Sequence, residues 1–296
     1  MKVQYIAAVS GFAIIYPMVI LRRKMHNKMK ERKDQAQSIL NTVQCQKPQY
    51  TQQNETQTMI FDTNKAIDYF KTQLNKYGFG SCGPRGFLGS FTSHLMLEKD
   101  LEDYYDAPSI IFSSFASTIQ SSLSSVVPDF VIYFDNCSPE IRRLQESQKV
   151  IVISEADFIT EKFSAELTQL LAQPMNAWVV FDSTSLTVEL MKVCNQFKLR
   201  TLMNEKGFLQ LGKTKRGTTE HLNDKAGKEV ISNRDIDLIT TSFEDTFGIP
   251  GGACSGAMLL IGNMRTAALG YCYSASQSPS LVAVIRWMMR EILNEK

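Results

Sequence analysis

From about residue 60 onward, short apolar runs alternate with amphipathic stretches. The runs SIIFSS (109–114), DFVIYF (129–134), KVIVIS (149–154), AWVVF (177–181), RTLMN (200–204) and DLITT (237–241) are mostly β-branched or aromatic. Their apolar residues are consecutive rather than alternating, so each reads as a strand buried on both faces. The stretches between them, FASTIQSSLSSVV, PEIRRLQES, TEKFSAELTQLLAQ and LTVELMKVCNQF, carry helical spacing. Strands separated by helices in this way predict an α/β domain built on a parallel sheet. Two helices precede the sheet. One covers 63–76, with Ala66, Ile67, Tyr69, Phe70 and Leu74 on one face and Thr63 as its N-cap; the other runs from His94 to Tyr105. A final helix is expected over 280–294, with no small C-terminal domain behind it.

The N-terminus has a different pattern. Residues 3–21 hold no charge, and a helix of that length spans roughly 28 Å, close to the hydrocarbon thickness of a bilayer. Seven Lys or Arg follow between Arg22 and Lys33, against Lys2 alone before the span. That asymmetry predicts a membrane anchor over 1–21 with the bulk of the chain cytosolic. A cleaved signal peptide is the alternative, but the apolar region is long and lacks a small-residue cleavage pattern before the basic cluster. Residues 22–58 then read as a basic juxtamembrane helix running into a Gln-rich linker, and 59–296 as the folded domain.

Composition adds few constraints. The chain has 296 residues, 44% hydrophobic and 21% charged, with a net charge of +2 that does not argue for nucleic acid. Six cysteines without CxxC spacing read as reduced thiols, and three scattered histidines suggest no metal site.

Three stretches carry candidate chemistry. YGFGSCGPRGFLGS (77–90) packs five glycines into fourteen positions without matching a dinucleotide fingerprint or a phosphate loop; it reads equally as a structural loop at a subunit contact. TKRGTTEH (214–221) reads as a polar turn with an Arg216–Glu220 ion pair. YCYSASQSPS (271–280) holds clustered hydroxyls that suit either a phosphate or a capped helix start. A fourth, DLITTSFEDTFGIPGG (237–252), is a strand running into a Gly-rich turn, the usual place for a working residue. It carries Glu244-Asp245 there, and no lysine occurs from Glu229 to Glu295.

Taken in order, these segments resemble the α-oxoamine synthases, fold-type I enzymes that use pyridoxal phosphate (PLP) to join an amino acid to an acyl-CoA. The wording YGFGSCGPRGF and YCYSAS is similar to the serine palmitoyltransferases, and specifically to the non-catalytic kind of long-chain-base subunit. The likeness runs from about Lys76 to Met289 and implies the large domain of the PLP-transferase fold. It places Asp245 where active members carry the lysine that holds PLP, and Cys137 where they stack a histidine on the ring. Met203-Asn204-Glu205-Lys206 falls where they have an Asp-Glu-Ala-His run, and Phe115 at the phosphate-cup glycine.

The resemblance therefore implies a chain with no catalytic residue of its own and no covalent PLP, paired with a lysine-bearing subunit at a shared interface. Gly80, Gly83, Arg85 and Gly86 would face that partner, and Ser274 and Ser276 the phosphate of its PLP. The implied complex joins L-serine and palmitoyl-CoA at the endoplasmic reticulum membrane, in contact with membrane lipid. Two other readings stay open. One is an active homodimer using another lysine, Lys206 or Lys228, though neither lies on the turn after DLITT. The other is a membrane-anchored interaction protein that keeps the fold as a platform. Three departures from the family are visible: a shortened segment before the first helix, a short Asp182-Ser183-Thr184-Ser185 loop, and no counterpart of the C-terminal domain.

Overall fold

The computed structural model describes residues 62–137, 150–173 and 175–294. The expected membrane anchor, the juxtamembrane segment and the helix expected over 139–147 lie outside the described residues. Seven strands among those described form one sheet: β1 Ser109–Phe112, β2 Phe130–Phe134, β3 Val150–Ile153, β4 Ala177–Asp182, β5 Arg200–Glu205, β6 Leu238–Ser242 and β7 Gly252–Gly256. Their order is β1-β7-β6-β5-β4-β2-β3. From β3 to β6 every pairing is parallel, with Val179 opposite Thr201 and Met203 opposite Ile239. β7 runs antiparallel to both β6 and β1.

The apolar runs form these strands because each is covered on both faces. Every residue of β1, β2, β4 and β6 is buried; β5 is buried after its exposed first residue Arg200, and the edge strand β3 stays partly exposed. β7 departs from the sequence expectation, which ended the series at DLITT. Its residues are Gly-Ala-Cys-Ser-Gly, too small to register as an apolar run, yet all are buried. Close approach explains the composition: a Cβ at Gly252 would meet the carbonyl of Thr241 at 2.9 Å.

Helices cover the sheet. α1 (Thr63–Tyr77) is capped by Asp62, whose carboxylate accepts from the backbone N–H of Asn64 and Lys65 at 3.0 and 3.2 Å. The cap thus falls one residue before Thr63, because a carboxylate reaches two of the orphan first-turn donors. α2 (Thr92–Tyr105) buries Leu97, Leu101, Tyr104 and Tyr105. α3 (Phe115–Val126) starts where β1 ends and is capped by Ser114. α4 (Glu155–Phe158) and α5 (Glu161–Leu170) follow β3, and α6 (Val188–Phe197) links β4 to β5. α7 (Thr218–Ala226), α8 (Phe243–Phe247), α9 (Met258–Ala267) and α10 (Leu269–Cys272) complete the middle of the chain, and α11 (Pro279–Asn294) packs along α1 and α2.

The TKRGTTEH stretch is thus half loop and half helix. The Arg216–Glu220 ion pair does not form. The Glu220 carboxylate instead accepts from the backbone N–H of Arg216 at 2.9 Å, while the Arg216 guanidinium donates to the Asp103 carbonyl at 3.3 Å. Five cysteines are described, all free thiols, and burial pushes Cys194 and Cys254 up to about 12. Among the described residues no helix is long and apolar enough to cross a membrane.

Candidate functional site at the ends of the parallel strands

In open α/β sheets, ligands sit outside the carboxyl ends of the parallel strands. Here that edge gathers Asp135–Cys137 after β2, Asp182 at the end of β4 with Ser183, Asn204 and Glu205 at the end of β5 with Lys206, and Ser242 at the end of β6 with the residues to Asp245. Asn204 and Asp182 are opposite each other in the ladder, and the Asn204 amide donates to the Asp182 carboxylate at 2.6 Å. Glu205 is buried and holds the loop that follows: it accepts from the Thr218 hydroxyl at 2.6 Å and from the Ser183 hydroxyl at 3.2 Å. Gly217, at φ +92°, lets that loop close, since a Cβ there would press on the Glu205 carboxylate and the Tyr104 hydroxyl.

Asp245 lies in α8, the short helix that begins as β6 ends. Ser242 caps it by accepting the Asp245 backbone N–H at 3.1 Å, and the Phe243 N–H donates to the Gly251 carbonyl at 3.0 Å. The Asp245 carboxylate is 62% exposed and faces Lys206, whose Nζ stands 3.8 Å away. The spacing along the chain hid this proximity. Lys206 directly follows β5, the neighbour of β6, so a residue 39 positions earlier reaches the same spot. Cys137 is buried after β2, its Sγ 3.4 Å from the Val180 carbonyl.

The structure joins two motifs that are far apart in sequence. The Gly-rich loop and the 274–277 segment are bonded as a strap. The Ser276 N–H donates to the Gly83 carbonyl at 3.0 Å, the Ser276 hydroxyl to the Gly89 carbonyl at 2.5 Å, and the Ser81 hydroxyl to the Ser276 carbonyl at 3.0 Å. Gly89 must be glycine, because a Cβ would run into the Gly83 carbonyl. His94 closes the strap from below: its Nε2–H donates to the Gln277 carbonyl at 2.9 Å while Nδ1 accepts from the Phe91 N–H at 3.2 Å. This arrangement suits the neutral ring. Burial and the nearby Arg85 guanidinium hold its pKa down at about 4. Gln277 in turn donates to the Pro250 carbonyl, tying the strap to the turn behind α8.

Several residues expected to face a partner are engaged within the chain. Arg85 is buried and pairs with buried Glu98 at 2.8 Å; Glu98 also accepts from Arg265 at 3.2 Å and from the Ile111 N–H. Both guanidinium groups lie against the Tyr271 ring. Arg85 is thus a strut between the loop and the sheet, and the Ser276 hydroxyl is bonded to the loop. Ser274, Gly80 and Gly86 remain exposed, while Gly83 is half-buried.

These groups do not fit covalently held PLP. A carboxylate occupies the position that the resemblance gives to the lysine, a buried thiol the position of the stacking imidazole, and an amide already bonded to Asp182 stands at the end of β5. Cofactor electronics depend on such groups, so no PLP step is assigned to this chain.

Comparison with known proteins defines the class first. Serine palmitoyltransferase of Sphingomonas wittichii superposes with a TM-score of 0.67 at 22% identity, covering 80% of this chain and 59% of that one. An 8-amino-7-oxononanoate synthase from Francisella tularensis superposes at 0.58 with 16% identity, covering 79% and 66%. The chain has the α/β fold of the PLP-dependent transferases.

Sequence comparison is narrower. Serine palmitoyltransferase 1 of Dictyostelium discoideum is 31% identical over 225 residues, 70% of this chain and 45% of that protein. Long chain base biosynthesis protein 1 of Arabidopsis thaliana is 27% identical over 235 residues, 74% of this chain and 47% of that protein. No family model matches. The chain is a homologue of the serine palmitoyltransferase 1 and long chain base biosynthesis 1 proteins, and it spans a little under half of their length.

Proposed function

We propose that this chain is the non-catalytic subunit of a serine palmitoyltransferase, working beside a lysine-bearing long-chain-base subunit that holds PLP. Together the two condense L-serine with palmitoyl-CoA to 3-ketosphinganine, CO2 and CoA. The observation that carries this reading is the carboxylate of Asp245 at the head of the turn where an amine would have to capture an aldehyde.

The surface supports it. Phe79, Phe87 and Leu88 on the Gly-rich loop and Tyr273 beside it are all exposed, and an apolar group of this kind marks a contact face. The strap presents these side chains, and exposed Ser274, toward a partner's site. Residues 3–21 anchor the chain in the endoplasmic reticulum membrane, where the lipid product is released, with the folded domain on the cytosolic side.

One observation favours a second reading, an active homodimer: the Lys206 amine stands near Asp245. A single experiment separates the two. The full chain, purified alone and then with its co-expressed partner, is incubated with PLP, reduced with borohydride and mapped by mass spectrometry. The expected result is pyridoxyl-lysine on the partner alone and condensation only from the pair. Pyridoxyl on Lys206, or condensation by this chain alone, overturns the proposal.

A further inference from the structure

A cavity of about 310 Å³ lies between α1, α2 and α11, lined by residues separate from those of the apolar groove beside α8. No acid lines it. Lys76 stands at its wall, Nζ 4.8 Å over the Tyr77 ring, with no carboxylate partner among the described residues. Arg286 and Arg290 enter from α11. Both lean on a single carboxylate, Asp100, which takes the Arg286 Nε at 2.9 Å and the Arg290 Nε at 2.7 Å. Three cations against one acid leave a net positive site. Aromatic rings line it as well: Tyr69 of α1 and Trp287 of α11 stack on each other at 5.6 Å with 25° between their planes. Ser93, a buried lining residue on α2, has a hydroxyl that meets no hydrogen-bond partner. A buried polar group left unbonded is costly, and a ligand that supplies an acceptor removes the cost.

We propose that this cavity binds a nucleotide, with its phosphates on Lys76, Arg286 and Arg290 and its base against the Tyr69–Trp287 pair. Guanidinium forks match phosphate oxygens, and an aromatic face holds any base by stacking. Neither feature alone calls for this class of ligand. Cations without the aromatic pair would suit any polyanion, and the pair without cations any flat apolar molecule. The proposal is independent of the reading of the sheet edge, because none of its residues lies there.

Intrinsic fluorescence provides the readout. The chain has two tryptophans, and Trp178 is 1% exposed in β4, so a quencher entering the cavity acts on Trp287. The full chain in mild detergent is titrated with ADP, with adenosine and with tripolyphosphate. ADP is expected to quench and to bind at least about tenfold tighter than either half-ligand, a difference of about 1.4 kcal/mol. Lys76→Ala, an exposed substitution whose fold is checked by thermal denaturation, is expected to weaken ADP about tenfold and leave adenosine unchanged. The proposal is overturned if ADP binds no tighter than tripolyphosphate, if Lys76→Ala binds ADP like the wild type, or if ADP does not bind.

Discussion

The strap and the sheet edge are held together differently. In the strap, the Gly-rich loop and the 274–277 segment share hydrogen bonds, a glycine that tolerates no Cβ, and a buried Arg85–Glu98 pair joined by half-buried Arg265. At the edge, Ser242 caps α8, and the position that the resemblance gives to a lysine carries an exposed carboxylate in a loose pair with Lys206. Backbone geometry and reactive chemistry are therefore separable. The first is over-determined by many short contacts, and the second rests on one side chain that the fold does not need.

The largest break in this comparison comes from the buried cluster. Glu98→Ala leaves two guanidinium groups without their shared carboxylate and is expected to destabilise the chain by about 3–5 kcal/mol, read from urea denaturation. Stability unaltered by that change would show that the strap does not depend on the pair.

An intermediate effect comes from pH. The unfolded chain protonates His94 near its ordinary 6.5, whereas the folded chain resists until about 4. Between those values the unfolded state binds more protons, so the contribution of His94 is complete above 6.5 and is lost as pH falls toward 4. The loss amounts to about 3 kcal/mol. Denaturation midpoints at a series of pH values should fall through this window, and His94→Gln should flatten the slope.

The smallest effect is expected at the edge. Asp245→Asn removes a 3.8 Å pair between exposed groups and should change stability by less than about 1 kcal/mol. A cost matching that of Glu98→Ala would erase the contrast between the two regions.

Much of the fold is legible in the sequence. Unbroken runs such as FVIYF and AWVVF become buried strands because only a sheet covered on both faces can hide every residue of such a run. Their parallel pairing follows from the helices between them. β7 was not readable, since GACSG has no hydrophobic signal and owes its place to what it fits between. The backbone role of Glu220 was equally hidden, because a carboxylate can pair with a guanidinium or cap N–H groups, and spacing does not say which.

Periodicity and residue type are local properties, so the class of fold and the carboxylate at position 245 are already legible along the chain. Tertiary structure alone decided the neighbours. It set Lys206 beside Asp245 across parallel strands, bonded Ser276 to Gly83 and Gly89, and gathered Lys76, Ser93, Trp287 and Arg286 around one cavity. Such contacts join residues widely separated in sequence, and the chain acquires them only when helices and strands pack.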